Sequence, residues 1–236
     1  MKDIYNNNEY LNNNESWHEE DSSYKADFCI DIIKKNNIQF STVVDIGCGA
    51  GLVSELFSKQ YPNAKVAGYD FSVDASKKWK KRKTNSNFSL VNNNYDENSE
   101  NVDCVLCLDV FEHVDDYFGF LRGLVNKSKY FIFNIPLDMS MMKILFGLRF
   151  ARKEVGHIHY FNTYTAIETL KDTGYEIVDY KHSVAFIKVS PRNIRQLLIL
   201  PFRLLTLLFG VNFASLVFGG ISLVVLAKKS EPKKNA

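Results

Sequence analysis

The feature that most constrains the fold is the run V-V-D-I-G-C-G-A-G, Val43 to Gly51. A β-branched segment, Ser41 to Ile46, runs into Gly47, Gly49 and Gly51, with Cys48 between the first two. A helix-periodic stretch, Leu52 to Gln60, follows at once. Glycines at such a strand–turn–helix junction allow a tight turn, let the backbone approach a ligand, and let the helix pack closely on the strand. Nineteen residues after Gly51, a second strand, Lys65 to Tyr69, ends in Asp70. An acid at the tip of the second strand is placed to bind both hydroxyls of a ribose.

The rest of the chain repeats this alternation. Asp21 to Lys35 carries Ala26, Cys29, Ile30 and Ile33 at helical spacing, with Asp21 or Ser22 as the expected cap. Ser72 to Arg82 reads as a basic helix, Asp116 to Leu124 and Asn162 to Asp172 as two more. Phe88 to Val91, Val102 to Leu108, Tyr130 to Ile135 and Tyr175 to Tyr180 read as strands, with Val184 to Val189 continuing the last or pairing with it. The strands are near-continuous apolar runs, as burial on both faces requires. Strands and helices in alternation predict a three-layer α/β/α fold with a mostly parallel sheet. One domain is expected over residues 17–229. A mobile Asn-rich segment over 1–16 and a polar tail over 230–236 flank it.

With 29 Lys plus Arg against 27 Asp plus Glu, the net charge is +2, too balanced for a dedicated nucleic-acid binder. The first ten residues have no apolar core of a secretory signal, and four cysteines are too few for a disulfide scaffold, so a reducing cytoplasm is expected. Cys104 and Cys107 form a C-x-x-C, but on a strand residues three apart face opposite sides, so they share neither a bridge nor a metal.

The ligand class follows from charge. A dinucleotide loop reads G-x-G-x-x-G and brings a helix N-terminus to a pyrophosphate. Here the spacing is G-x-G-x-G, and Asp45 stands two residues before the first glycine. A carboxylate there opposes a pyrophosphate and suits a ligand with an ammonium group and no phosphate, such as S-adenosylmethionine (SAM). A nicotinamide-dependent oxidoreductase is the disfavoured alternative.

On these motifs the sequence resembles the class I, Rossmann-like SAM-dependent methyltransferases from Trp17 to Lys229. The resemblance implies that Asp45, Gly47, Cys48, Gly49 and Gly51 form the cofactor loop, and that Asp70, with Phe71 beside it, holds the ribose. It implies an adenine contact just after the third strand, where Asn94 aligns, with Asn93 as the alternative register. It also implies that Leu108 and Asp109, in C-L-D-V-F-E-H-V-D-D, pass under the methionine moiety, and that the last strand runs antiparallel beside the fifth. More narrowly, Trp17 to Ala26, Asp109 to Arg122, Ile135 to Asp138, Gly156 to Phe161 and Asp172 to Glu176 resemble a subgroup associated with bacterial surface-polysaccharide gene clusters. The chain departs from that subgroup at Asn134, where a histidine is expected.

Methyl transfer to a hydroxyl needs an aligned acceptor and a proton acceptor. At the carboxyl ends of the strands the candidates are Glu112, His113 and His157, with Asp138 as a further rim acid. His157 and His159 offer two nitrogens with no third ligand evident, so no metal is expected. His18 reads as part of a lid or as a helix cap, and His182 as structural. Lys25 reads as a solvated helix face or, alternatively, as a partner of the SAM carboxylate.

Leu204 to Ala227 is free of charge over 24 residues. Gly210, Asn212 and Gly219-Gly220 interrupt it, and Ile221 to Ala227 is needed as the last strand, which leaves too little to span a membrane. Two apolar helical insertions, near 139–153 and 192–218, carry Lys143, Arg149, Arg152, Lys153, Arg192, Arg195 and Arg203. They read either as a membrane-surface contact or as a cap or homodimer face. The expected activity is methyl transfer from SAM to a small-molecule or glycan acceptor at oxygen, with a quinone, phenol or lipid-linked acceptor as the alternative. The expected location is cytoplasmic, with contact at the inner membrane face.

Overall fold

The computed structural model describes residues 19–95, 99–148, 152, 155–184 and 194–231, the side chains of 194–196 excepted. The expected segments at 1–16, Trp17 and His18, the proposed strand at 185–189, Arg149, Lys153, Arg192, the side chain of Arg195 and the tail from 232 lie outside the described residues.

Seven strands form one sheet: β1 Thr42–Ile46, β2 Lys65–Tyr69, β3 Phe88–Val91, β4 Val102–Leu108, β5 Ser128–Pro136, β6 Tyr175–Ser183 and β7 Ser222–Lys229. Their order is β3-β2-β1-β4-β5-β7-β6. The first five are parallel, and β7 runs antiparallel between β5 and β6, as expected for the last strand. The described helices are α1 Glu19–Lys35, α2 Leu52–Gln60, α3 Tyr117–Leu124, α4 Met141–Phe146, α5 Thr163–Asp172, α6 Ile194–Leu207 and α7 Val211–Phe218.

Burial on both faces explains the apolar strands. Cys104 and Leu106 of β4 pack with Cys29, Ile32 and Phe57 in one core. Val105 and Cys107 pack with Phe131, Phe133 and Tyr175 in the other. The cysteine pair therefore faces opposite layers, and both thiols are free.

Local chemistry sets the helix ends. Asp116 accepts from the Gly119 amide at 2.8 Å to cap α3. Asn162 and Thr165 form a reciprocal capping box on α5. Two expectations need correction. Asp21 and Ser22 lie inside α1, which already runs at Glu19, and so do not cap it. The basic stretch after β2 is one α-turn, Val73–Ser76, and then a 3-10 segment, Lys77–Lys81, because its side chains brace the glycine turn instead of covering the sheet. The apolar C-terminal stretch breaks where Gly210 was expected to interrupt it, with φ of +102°, into α6 and α7. Among the described residues no helix is long and apolar enough to cross a membrane.

Gly68, in β2, lies directly under the turn. A Cβ there would meet Leu90 Cδ2 and Ser54 Oγ at 2.7 Å and Cys48 Sγ at 2.9 Å. Gly68→Ala is expected to destabilise the fold by about 1–3 kcal/mol, read as a lower urea midpoint at unchanged slope.

Candidate functional site

The four parallel strands β2, β1, β4 and β5 end on one edge, where the chain enters and leaves a cavity of about 930 Å³. This is the carboxyl-end crevice at the point where strand order reverses. The glycine turn forms one wall. Gly47 has φ of +67°, and a Cβ on it would strike Val110 Cγ2 at 2.8 Å. The Tyr69 carbonyl accepts from the Gly47 and Cys48 amides at 2.8 and 3.0 Å. Gly51 is not part of the cavity wall; it starts α2 and packs on Leu90, so its part is structural.

Asp70 ties two loops together. One carboxylate oxygen accepts from the Gly49 amide at 2.8 Å, the other from the Ser72 amide at 2.8 Å. Burial pushes its pKa up, and the two amides oppose that. Asp70 and Phe71 both line the cavity, as do Asn93, Asn94 and Tyr95. Asn92 is committed elsewhere, donating to the Asp70 carbonyl at 2.8 Å. Asn94 is exposed on the wall, with its amide donating to Asn93 Oδ1 at 2.9 Å.

Asp45 also lines the cavity and accepts from Ser54 Oγ at 2.6 Å. Burial pushes its pKa up to about 7, with Asp70 adding to the rise and Ser54 and Lys25 opposing it. Cys48, beside it, is kept as a neutral thiol by burial and by the charge of Asp45.

Asp109, at the end of β4, adopts φ of +55°, unusual for a residue with a Cβ. Lys25 Nζ lies 2.5 Å from one of its oxygens, and Asn134 Nδ2 donates to the other at 2.7 Å. Burial, the largest single influence, would raise its pKa, but Lys25 together with His157 and Asn134 holds it below the ordinary range. Lys25 is thus not on a solvated face; α1 delivers it into the cavity wall, its side chain only 24% exposed. Asn134, the departure from the subgroup pattern, is buried and serves to hold this acid in place.

The acceptor side brings the expected trio together. Glu112, His113 and His157 offer donor atoms that all lie within 4.8 Å of one another. His113 Nδ1 donates to the Gly156 carbonyl at 3.0 Å. His157 Nδ1 pairs with Asp138 Oδ2 at 2.7 Å. His157 and Lys143, which also pairs with Asp138, hold the Asp138 carboxyl well below its usual range against burial. His113 and His157 line the cavity. Glu112 does not line it; its side chain is 0% exposed, and burial followed by the charge of Asp109 pushes its pKa well up. His159 is turned away to the Val114 carbonyl at 2.9 Å, and His182 contacts Thr163 Oγ1 at 3.0 Å.

Sequence reasoning missed the residues that act through the backbone. Trp79 Nε1 donates to the Gly49 carbonyl at 2.8 Å, and Arg82 Nε to the Ala50 carbonyl at 2.9 Å. Arg82 also pairs with Glu55 and Glu19, tying α1 and α2 to the turn. Only the basic character of 77–82 hinted at this.

The residue set fits a cationic nucleoside. Near the glycine turn the wall presents Asp45, Asp70 and Asp109, and Lys25 is already paired, so a sulfonium and an ammonium are favoured over a diphosphate. Residues 17–180 match a family described as "Methyltransferase domain". The chain belongs to that family. This methyltransferase uses SAM as its cofactor, and a nicotinamide dehydrogenase is not favoured. It is similar to the trans-aconitate 2-methyltransferases of two strains of Rhodopseudomonas palustris. With that of BisA53 it is 46% identical over 50 residues, 21% of this chain and 20% of the relative. With that of BisB18 it is 32% identical over 83 residues, 35% and 32% respectively. The chain therefore matches a fifth to a third of the length of these curated relatives. In fold it is similar to the magnesium protoporphyrin IX methyltransferase from Synechocystis PCC 6803 with bound SAH, at a TM-score of 0.55 and 14% identity, over 88% of this chain and 82% of that one.

The position of Asp45 sets a pH dependence. A folded-state pKa raised to about 7 means that stability is fully present below the unfolded carboxylate value and is lost as pH rises through 7. The stability gain of Asp45→Asn over the parent, measured by urea unfolding without ligand, is expected to grow by about 2 kcal/mol between pH 5 and pH 8.

Proposed function

We propose that this methyltransferase transfers a methyl group to a hydroxyl oxygen of a small-molecule or glycan acceptor in surface-polysaccharide biosynthesis. SAM, when bound, supplies an electrophilic methyl group on a sulfonium. Asp45, Asp70 and Asp109 orient the cofactor, with Gly47, Cys48, Gly49, Phe71, Asn94 and Leu108 completing its walls. The observation that carries the oxygen assignment is His157 on the cavity wall, held from behind by Asp138. Asp138 fixes the ring through Nδ1, so the other nitrogen, Nε2, can take a proton from an acceptor hydroxyl. A carboxylate acceptor such as trans-aconitate needs no base, so a base on the wall favours a hydroxyl acceptor.

A second reading concerns where that acceptor resides. Ile144, Leu145 and Phe146 of α4, Leu197, Leu198, Phe202 and Leu205 of α6, Leu208 and Phe209 after it, and Phe213 and Leu216 of α7 are all exposed, Leu208 to 81% and Phe146 to 72%. Neither the stretch 139–153 nor the stretch 181–230 contains an acidic residue. An apolar face of this size with a cation-only charge complement suits an anionic lipid surface at the inner face of the cell membrane. A lipid-linked form of the glycan would then reach the cavity from that surface.

His157→Ala is expected to lower turnover about 10²–10⁴-fold while SAM affinity, measured by calorimetry, stays within about twofold; retained turnover removes the base assignment. For the surface, the protein is expected to float with phosphatidylglycerol vesicles, and Phe146→Glu with Leu208→Glu to stay at the bottom of the gradient. A parent protein that ignores vesicles but sediments as a dimer would assign the same face to a second copy.

A further inference from the structure

We propose that Glu112, His113 and His157 form a binding site for one divalent transition cation of the zinc class on the acceptor side of the cavity. This deepens the acceptor-side role given above and rests on it only for its purpose, not for the binding itself.

Glu112 is the decisive residue. It is fully buried, and among the described residues neither of its carboxyl oxygens has a hydrogen-bond partner from another residue, its own backbone N–H being the one donor that acts on it. A buried carboxyl without a partner is costly, and a native fold keeps one only where something unseen satisfies it. Its backbone is pinned in place: the Glu112 carbonyl accepts from the Ile158 and His159 amides at 3.0 and 3.1 Å, which presses the 156–159 segment onto the turn that carries it.

Each imidazole has a tautomer that keeps one nitrogen as an acceptor. A carbonyl can only accept, so the contact with Gly156 places the His113 proton on Nδ1 and leaves the lone pair on Nε2. Asp138 does the same for His157. A carboxylate or carbonyl behind a ligating histidine is the usual outer support of a metal site. Bonds of about 2.1 Å place donors roughly 3–3.5 Å apart, so a trio within 4.8 Å closes on an ion with side-chain shifts of about 1.5 Å.

Two imidazole nitrogens and one carboxylate suit zinc or its neighbours; magnesium and calcium prefer all-oxygen sets. Three protein ligands leave a position open toward the cavity, where the two histidines stand. With the ion on its Nε2, His157 is a ligand and no longer the base, and an acceptor hydroxyl drawn to the open position would release its proton to solvent instead. Its oxygen pair then forms the bond to the methyl carbon, and the carbon–sulfur pair departs with sulfur as a thioether.

The test uses the full chain, stripped with a chelator and dialysed against Zn²⁺ alone or Mg²⁺ alone, with metal per chain read by mass spectrometry and Co²⁺ absorption as a geometric probe. The expected result is one zinc per chain and no retained magnesium. Glu112→Gln and His157→Ala are each expected to weaken zinc at least a hundredfold, and Asp138→Asn about 10–100-fold. Zinc well below one per chain, or equal retention in the parent, Glu112→Gln and His157→Ala, overturns the site. Should Glu112→Gln fail to fold, His157→Ala on the cavity wall decides alone. Zinc retained by a chain that binds no SAM upholds the site and fails the cofactor reading. SAM binding and turnover without zinc do the reverse.

Discussion

The whole edge of the sheet depends on how one carboxylate, Asp70, is satisfied. Its two oxygens take the amides of Gly49 and Ser72, so the glycine turn after β1 and the loop after β2 are fastened to the same group. Without that bridge the Gly49 amide would be left to water, and the turn would lose the acid that sets its distance from β2. The same oxygens keep lone pairs for ribose hydroxyls, so one structural clasp has the acceptors that the proposed ribose contact requires. Trp79 and Arg82 reinforce the clasp from the other side by donating to the carbonyls of Gly49 and Ala50. A turn held by amide donors inward and carbonyl acceptors outward has little freedom, which is what close approach to a ligand requires.

A consequence of gathering strand ends is a gathering of charge. Asp45, Asp70, Asp109, Glu112 and Asp138 are brought to one edge, and burial acts against ionising each of them. The described counterions offset only part of this, since Lys25 settles Asp109, and Lys143 with His157 settles Asp138. Asp45, Asp70 and Glu112 are left high, the first two on the cavity wall and Glu112 buried behind the histidines. Each deficit points to a cation that the chain itself does not supply. Beside Asp45 the cofactor's ammonium and sulfonium answer it; beside Glu112 a metal ion would.

Much of this was legible in the sequence. The glycine run, Asp70 nineteen residues on and the apolar strands determine the parallel half of the sheet, because turn geometry and two-faced burial leave few other arrangements. Glu112, His113 and His157 were placed on one rim by their position after strands, and the structure brings them together. What was not legible was pairwise. That Lys25 crosses to Asp109, that Asn134 steadies Asp109, and that Asp138 rather than His159 stands beside His157 depend on distances between strands far apart in sequence. The basic stretch after β2 misled for the same reason: helical spacing is visible locally, whereas the pull of the glycine carbonyls on Trp79 and Arg82 is not.

The antiparallel β7 links the site to the apolar face. β6 ends and β7 begins at the cavity end, Ser183 opposite Ser222, so α6 and α7 lie in a connection that leaves that end and returns to it. Gly219 and Gly220, with φ of +62° and +70°, make the turn into the strand against Ser140 and Arg203. Leu137 then donates its amide to the Ile221 carbonyl at 3.0 Å, one residue before Asp138. The helices with exposed leucines and phenylalanines are thereby joined, through this hydrogen bond and the packing of α7 near α4, to the loop that carries the partner of His157. A displacement of α7 on a surface has a short path to the ring nitrogen facing the acceptor, so the face that would meet a membrane and the group that would take the proton are mechanically neighbours.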